Sequence, residues 1–541
     1  MNTQVDCVVI GYNDLNFQTF AAAQKNMAQY SGAYHEVVTN SVLLDGNRIT
    51  YMDLINRGVE LATGGNPHLN AFAAPSLGVC YLTSFLARMG FHVEPVNFFN
   101  SQKDHLSDLL RGRPRAVAIT TTYYVDNAPI VELVAFIRQH CPETKIIVGG
   151  PHIYNLHADH ESATLEFVYK SLGADIFIID SQGELTLSRV LAALRDGFNL
   201  TGIPNVAWFD TGGEFHLSSR EIENNDLDLN AVEWHRLPRD LYTPIAYLRT
   251  ARSCPFSCAF CNYPTLAGPH VLSGIERLGE GLEFLHEAGT RYLIFVDDTF
   301  NVPLPRFKML LRMMIDRKWN FQWISFFRCS NADEEAFDLM QASGCIGVFL
   351  GIESGDQTIL NNMAKFANVE RYHWGIRQLH QRGIITFASL ICGFPGETCQ
   401  TFQNTLSFIE ESGPDFFNVQ LYYHDVRSPI ARRDAEFQLE GAGYGWRHRT
   451  MEWREAAELS KHACRRVSNS LPLTLYGFSI WSLPYLFSKG IDLPQVAEFA
   501  TVARHMLVES FDDAPPDFSA QLAQLAGVLS PGASAIPKAT F

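Results

Sequence analysis

The chain reads as an α/β protein built from a doubly wound parallel sheet, then an incomplete βα barrel, then a helical region. Three observations lead there. Short apolar runs of strand length alternate with stretches of helical periodicity over residues 1–210. The same alternation resumes for six units over 246–445, and beyond that the pattern is helical throughout. Such βα alternation implies parallel strands with ligands at their carboxyl ends.

In the first stretch, 8–10, 93–98, 116–124, 145–148, 175–179 and 205–209 have the apolar, β-branched character of strands. Between them Leu77, Tyr81, Phe85 and Met89 recur at helical spacing and stop at Gly90, which suits a helix C-terminus. Residues 13–70 are polar and rich in Asn and Gly, and are expected to be an insertion or a substrate-facing cover. Residues 211–245 are acidic, with Pro238 and Pro244, and read as a linker. Barrel strands are expected at 246–250, 292–296, 321–327, 346–352, 384–391 and 416–423. The first barrel helix opens on Ser273 and Glu276, a capping-box spacing, and carries Ile275, Leu278, Leu282 and Leu285 on one face. Another carries Val369, Tyr372, Ile376 and Leu379 and ends at Gly383. Six units suit a partial barrel, with its chemistry at the strands' C-terminal ends. Residues 446–541 form the helical C-terminal region, with Trp446, Trp453 and Trp481, and the last thirty have the Ala/Pro/Ser composition of a loose tail.

The 541 residues are 47% hydrophobic and 18% charged, enough apolar content to bury cores throughout. A formal net charge of −16 with no Lys/Arg run argues against nucleic acid and for a small-molecule or peptide-like substrate. The first residues lack a signal-peptide pattern and no run reaches the ~18 apolar residues of a membrane span, so the expectation is a cytoplasmic protein without membrane contact. Eleven cysteines in so long a chain are no disulfide framework. Eight of them, including Cys80, Cys141, Cys345 and Cys392, read as small buried hydrophobes.

The other three form a C-x3-C-x2-C triplet, Cys254, Cys258 and Cys261, directly after the first barrel strand. Three thiolates on a four-iron cluster leave one iron open to a small molecule, whereas electron-transfer clusters use four cysteines. A zinc site stays open as an alternative; it would want a fourth ligand, and His270 is the near candidate.

This triplet, with the aromatic Phe260 before its last cysteine, resembles the radical S-adenosylmethionine (SAM) enzymes. Three further strand ends resemble that family in order: Val296-Asp297-Asp298-Thr299-Phe300, Gly351-Ile352-Glu353-Ser354-Gly355 and Gly393-Phe394-Pro395-Gly396-Glu397-Thr398. The resemblance implies a 4Fe-4S cluster on the three cysteines and SAM contacts from Phe260, Asp297, Asp298, Glu353 and Gly393. Arg328, ending the third strand, is a further SAM candidate. For Asp297 and Glu353 a helix-capping role stays open. Upstream, Pro75-Ser76-Leu77-Gly78-Val79, Gly149-Gly150-Pro151-His152, and Gly173-Ala174-Asp175 with Ser181-Gln182-Gly183-Glu184 resemble the cobalamin-binding, Rossmann-like domain that precedes the barrel in one branch of the family. Cobalamin contacts are thereby implied for Ser76, Leu77, Thr121, Gly149, Gly150, Pro151, His152, Gly183 and Glu184. No D-x-H-x-x-G occurs, so no axial histidine is named, and His152 reads more simply as a hydrogen-bonded turn residue. A nucleotide-binding module is the rival for this domain, weakened by the lack of G-x-G-x-x-G.

A cobalamin domain beside such a barrel implies radical methylation of an unactivated centre: one SAM methylates the corrinoid, another yields a 5'-deoxyadenosyl radical, and the substrate radical takes the methyl. An electron donor such as flavodoxin or ferredoxin is implied. The opening Asp6-Cys-Val-Val-Ile-Gly-Tyr-Asn13 and His424-Asp425 resemble the subgroup containing the P-methylase of phosphinothricin-type biosynthesis. Cyclisation, rearrangement or oxidation without methyl transfer stays open, as does a non-catalytic corrinoid or metal binder. No catalytic residue is assigned.

Overall fold

The computed structural model describes residues 4–197, 199–474, 476–512 and 517–530. It has two compact units. One holds the chain up to Leu15 with Phe72–Tyr247 and Leu272–Thr290; the other holds Asn16–Ala71, Leu248–Val271 and the chain from Arg291 onward.

The first unit is a seven-stranded sheet in the order Val93–Phe98, Cys7–Tyr12, Ala116–Thr120, Lys145–Gly149, Ile176–Ile178, Val206–Phe209, Phe215–Leu217. Its first five strands are parallel. Both faces are buried, as a doubly wound sheet requires. Val8, Ile10, Val117, Ile119, Ile146 and Val148 pack on one side with Leu106, Leu133 and Ile137 of the covering helices. The alternate residues Val9, Ala118 and Ile147 are equally buried. Arg195 closes the lower edge, its Nη2 2.6 Å from Asp6 Oδ2.

Two expectations are corrected here. Residues 205–209 do form a strand, but it runs antiparallel to Ile176–Ile178, and Phe215–Leu217 pairs back on it through a tight turn at Asp210–Glu214. Such antiparallel edges on parallel sheets are common. The stretch 211–245 is accordingly no free linker. Glu223 accepts hydrogen bonds from the backbone N–H of Leu185 (3.0 Å) and Thr186 (2.7 Å), capping the helix Glu184–Arg195, whose own N-cap Gly183 has no side chain. Asp228 does the same for Ile275–Glu287, accepting from Gly274 N–H at 2.9 Å and from the Ser273 hydroxyl. The Ser273/Glu276 box is not formed, because a carboxylate distant in sequence occupies the positive helix end. Two acids of this stretch thus serve helix N-termini.

The second sheet runs in chain order through Ile245–Leu248, Tyr292–Phe295, Gln322–Phe327, Cys345–Glu353, Ile385–Cys392, Phe416–Leu421 and Leu471–Pro472. Its neighbours from Tyr292 onward are all parallel, and Val296 N–H donates to Leu248 C=O at 2.9 Å. The last strand, two residues long, carries too little sequence to be read as one. In register, Phe326, Phe349 and Phe387 form an aromatic row, with ring centroids 4.9 Å apart at each step. Trp481 from the C-terminal region packs on it, 4.6 Å from Phe326.

Residues 16–71, expected as an insertion or a substrate-facing cover, pack with the barrel unit. They are held by buried contacts: Glu36 accepts from Leu421 N–H at 2.8 Å, and Tyr51 meets Phe499 edge-on at 5.6 Å. Part of the expected tail is also ordered. The helix Ser519–Val528 lies against Tyr51–Thr63, where Gly58 leaves room for Leu525 and Leu529, and Gln495 Nε2 donates to Val528 C=O at 2.9 Å. Residues 513–516 and 531–541 of that expected tail lie outside the described residues.

Candidate active site

The three cysteines sit on one loop just past Ile245–Leu248, Cys258 buried and Cys254 and Cys261 half-exposed. The loop is fixed by its backbone: Ala259 N–H donates to Met363 C=O (2.7 Å), and Ile430 N–H donates to Ala259 C=O (2.8 Å). Arg328 lies with its guanidinium 3.7 Å from the centroid of Phe256, two residues after Cys254, and its Nε donates to Ser330 Oγ at 3.1 Å. Burial pushes the Cys254 thiol up and the Cys261 thiol up to about 11, and the charges of their neighbours, Asp298 included, add to the shift. Bringing three thiolates together here requires a cationic centre.

Two candidate centres differ in the spacing they need. Tetrahedral Zn–S bonds of ~2.3 Å put sulfurs roughly 3.8 Å apart. Among the described residues, the trio of potential ligands within 4.8 Å of one another is Asp210, Glu214 and His216, on the hairpin of the first unit, and the cysteines do not meet that limit. His270 joins no such group; its Nε2 is buried without a partner and burial holds its pKa low, with Arg306 adding to the effect. A multi-iron cluster, in which each cysteine takes a different iron, needs its sulfurs farther apart than a single zinc does.

Around this loop the structure separates the SAM candidates by exposure. Asp298 is exposed and Phe260 half-exposed. Desolvation within the surrounding residues pushes the Asp298 carboxyl up to about 6, with the charge of Asp297 adding, while a hydrogen bond from Tyr263 and the charge of Arg249 oppose. Asp297, by contrast, is buried and occupied. Its carboxylate accepts from Thr250 N–H (2.6 Å), Ala251 N–H (3.0 Å) and the Thr250 hydroxyl (2.5 Å), pinning the chain that leads into Cys254. It acts as a backbone clamp.

Glu353 is likewise engaged. It ends its strand at φ +65° beside a register shift, is buried, and pairs with Lys365 at 2.8 Å. Lys365 is buried with it, its Nζ 5.5 Å from the Phe260 ring centroid. Sequence reasoning missed Lys365 because no periodic or motif signal marks a lysine in a turn. Arg328 is buried and donates to the Lys365 carbonyl. Gly393 is buried at φ +91°, and a Cβ there would stand 2.4 Å from the Trp446 ring. Trp446 packing requires the glycine. Phe394 next to it meets Phe260 edge-on at 6.4 Å.

In the first unit the cobalamin candidates gather at the C-terminal ends of the parallel strands, the ligand edge of such sheets. Ser76 is the N-cap of Leu77–Arg88, accepting from Val79 N–H at 3.4 Å. Thr121 Oγ donates to Gly149 C=O (3.0 Å) and accepts from His152 N–H (3.2 Å). Ser76, Thr121, Gly183 and Glu184 are buried, and Glu184 accepts from Asn225 Nδ2 at 2.7 Å. These four shape the edge from within. Leu77, Gly149, Gly150 and His152 are half-exposed and Pro151 is exposed. The His152 imidazole is held by Asn127 Oδ1 at 2.7 Å, and burial lowers its pKa. A group that the motifs did not single out stands beside them: Tyr12, Phe72 and Tyr123, with ring centroids 5.2 to 6.3 Å apart.

Comparisons with known proteins agree with this architecture. Residues 248–409 match the Radical SAM superfamily model. An uncharacterised methyltransferase, PH0819, of Pyrococcus horikoshii is 25% identical over 366 residues, 65% of this chain and 77% of its own. The anaerobic magnesium-protoporphyrin IX monomethyl ester cyclase of Rubrivivax gelatinosus is 25% identical over 259 residues, 45% of this chain and 46% of its own. The radical SAM methyltransferase TsrM of Kitasatospora setae, solved with tryptophan and a SAM analogue, superposes with a TM-score of 0.55 at 17% identity, covering 91% of this chain and 90% of its own. Another TsrM structure holds cobalamin and a [4Fe-4S] cluster. At that identity the likeness shows a shared fold.

Proposed function

With a radical SAM domain at residues 248–409 as the premise, we propose that this protein is a cobalamin-dependent radical SAM methyltransferase. Its substrate would be an unactivated carbon or a phosphinate phosphorus of a natural-product intermediate, small-molecule or peptide-like. The observation that carries the reading is the pairing in one chain of a three-cysteine loop at a barrel strand end with a doubly wound sheet whose ligand edge is glycine-rich and aromatic. When bound, the cluster supplies the electron that cleaves SAM and the corrinoid carries the methyl group. Cys254, Cys258 and Cys261 would hold the cluster. Asp298, the exposed acid of the site, would pair with the SAM ammonium, and Phe260 would be a further SAM contact. Asp297, Arg328 and the Lys365–Glu353 pair would keep the loop and its surroundings in place. The domain boundaries that serve this function are those of the two units, a cobalamin unit and a SAM unit. A cytoplasmic setting and reduction by a flavodoxin or ferredoxin complete the proposal; among the described residues no helix is long and apolar enough to cross a membrane.

The test is anaerobic turnover of the reconstituted protein with methyl-labelled SAM, cobalamin, reductant and a panel of phosphinates and peptides. Label on a substrate together with 5'-deoxyadenosine is the expected result, with a Cys254/Cys258/Cys261→Ala triple variant as the blank. Production of 5'-deoxyadenosine without label transfer would replace methylation by cyclisation, rearrangement or oxidation. Absence of both products from cluster-loaded protein would leave a non-catalytic binder.

A further inference from the structure

We propose that the substrate of this protein carries a flat, apolar ring system with a hydrogen-bonding group, and that Trp481 sets how large a ring system fits. This deepens the substrate class of the reading above and rests on it. The helices Leu304–Asp316 and Glu334–Ala342 cover one face of the barrel sheet, where Phe327 meets Phe307 at 6.2 Å and Phe337 at 5.6 Å between ring centroids. Side chains alternate along a strand, so Phe326 points to the opposite, inner face, together with its register partners Phe349 and Phe387. On that face the strand Cys345–Glu353 presents Gly347, Phe349 and Gly351 in turn. Both glycines leave room for a neighbour. A Cβ at Gly347 would stand 3.3 Å from Ile480 Cδ1, and one at Gly351 would stand 2.6 Å from Glu353 Oε1 and 3.2 Å from Lys365 Nζ. The turn Ile480–Ser482 therefore bounds Phe349 on one side and the Lys365–Glu353 pair on the other. Between these bounds Phe326, Phe349 and Trp481 stay half-exposed, whereas Ser325, Val348 and Leu350 on the helix-covered face are buried. Trp481 lies parallel to Phe349, 5.9 Å away at 15°, and forms the floor of this space. Half-exposed rings gathered on the inner face of a barrel sheet suit a flat apolar ligand. A polar group stands one layer above them: Ser389, the register partner of Gly351, accepts from Gln420 Nε2 at 3.4 Å, and Gln420 is half-exposed. Its amide can orient an amide, hydroxyl or ring N–H of the ligand. The Lys365 ammonium is already paired with Glu353 at 2.8 Å, so a compact phosphinate gains no free cation from it. Of the two substrate kinds, this face therefore favours a carbon centre on a ring-bearing molecule.

The experiment uses the full chain with its cluster reconstituted anaerobically, and equilibrium dialysis measures the binding of indole-3-carboxamide, the tricyclic carbazole-3-carboxamide and methylphosphinate. The wild type is expected to bind the indole about tenfold more tightly than either of the others. Trp481→Ala lowers the floor. It is expected to weaken the indole by about tenfold, the scale of a lost aromatic contact, and to reverse the order of the two ring systems. A reversed order is a readout that general damage to the fold does not produce. Trp481→Phe, which keeps a ring on the floor, is expected to keep the wild-type order. Gln420→Ala, at a half-exposed side chain, is expected to weaken indole-3-carboxamide by up to about tenfold, the value of one hydrogen bond. An unchanged order in folded Trp481→Ala, wild-type affinity for the indole in Gln420→Ala, or a wild type that prefers methylphosphinate would each overturn the proposal. The Gln420→Ala result decides the matter if Trp481→Ala does not fold. Binding of the probes needs no turnover, so a cluster-loaded wild type that binds the indole yet forms no 5'-deoxyadenosine from SAM overturns the enzymatic reading alone, which separates the two failures.

Discussion

The carboxylate of Asp297 accepts three hydrogen bonds from Thr250 and Ala251, and its neighbour Asp298, exposed and hydrogen-bonded by Tyr263, stands beside Cys254 and Cys261. Removing the two acids therefore has separate consequences. Asp298→Asn is expected to keep the cluster and to weaken SAM binding by about one to two decades, the value of a charge-assisted hydrogen bond of roughly 1.5 to 3 kcal/mol. Asp297→Asn is expected to lower iron occupancy after reconstitution, because the chain entering Cys254 loses its clamp. Iron analysis and SAM titration separate the two, and unchanged SAM affinity in Asp298→Asn would remove it from the site. A second residue-scale effect concerns Glu397. Burial raises its carboxyl to about 8, against 4.5 for an ordinary one, with the Gly393 N–H partly opposing and the charge of Asp356 adding. The native state thus holds this proton more tightly than the unfolded chain. Its contribution to stability is full below pH 4.5 and is lost as pH rises through 8. Glu397→Gln is expected to flatten the decline of melting temperature between about pH 5 and 9, since each tenfold difference in proton affinity between the folded and unfolded states is worth about 1.4 kcal/mol. Glu36, raised to about 7 by burial with the Leu421 N–H opposing, leaves a residual slope. Identical pH profiles for variant and wild type would show that Glu397 ionises normally.

At the scale of elements, the helix Ser519–Val528 tests how much the described C-terminus contributes. Leu525 is fully buried against Gly58 of the helix Tyr51–Thr63. Truncating a buried leucine costs about 2 to 5 kcal/mol when the cavity stays open. Leu525→Ala is expected to lower the denaturant midpoint with m unchanged, and amide exchange should speed up in Tyr51–Thr63 as well as in the helix itself. Wild-type stability in this variant would mean that the helix is a passive end. Capping across long sequence separations acts at this scale too. Glu223 and Asp228 serve helices some forty residues away, so their removal would fray helix starts that bear no capping side chain of their own.

For the whole molecule, the net charge of −16 sets what it can bind. Phosphate backbones are held chiefly by Lys and Arg, so a chain of this charge gains nothing from counterion release. No retention of tRNA or ribosomal RNA is expected in filter binding at physiological salt, whereas micromolar, salt-sensitive binding would point to a nucleic-acid substrate in place of a small molecule or peptide.

Much of this protein is determined by local sequence. The strand runs 93–98 and 416–421, the helix ending near Gly90 and the C-x3-C-x2-C loop follow from periodicity, glycine stereochemistry and ligand spacing, which act over a few residues. The site that surrounds the loop does not. Asp297 and Asp298 are adjacent acids in sequence, and only the fold turns one onto the Thr250 backbone and leaves the other open. Lys365 and Glu353 become a buried pair, Gly393 is dictated by Trp446 from a distant part of the chain, and residues 16–71 join the barrel unit, because burial and long-range partners exist only once distant segments are packed together.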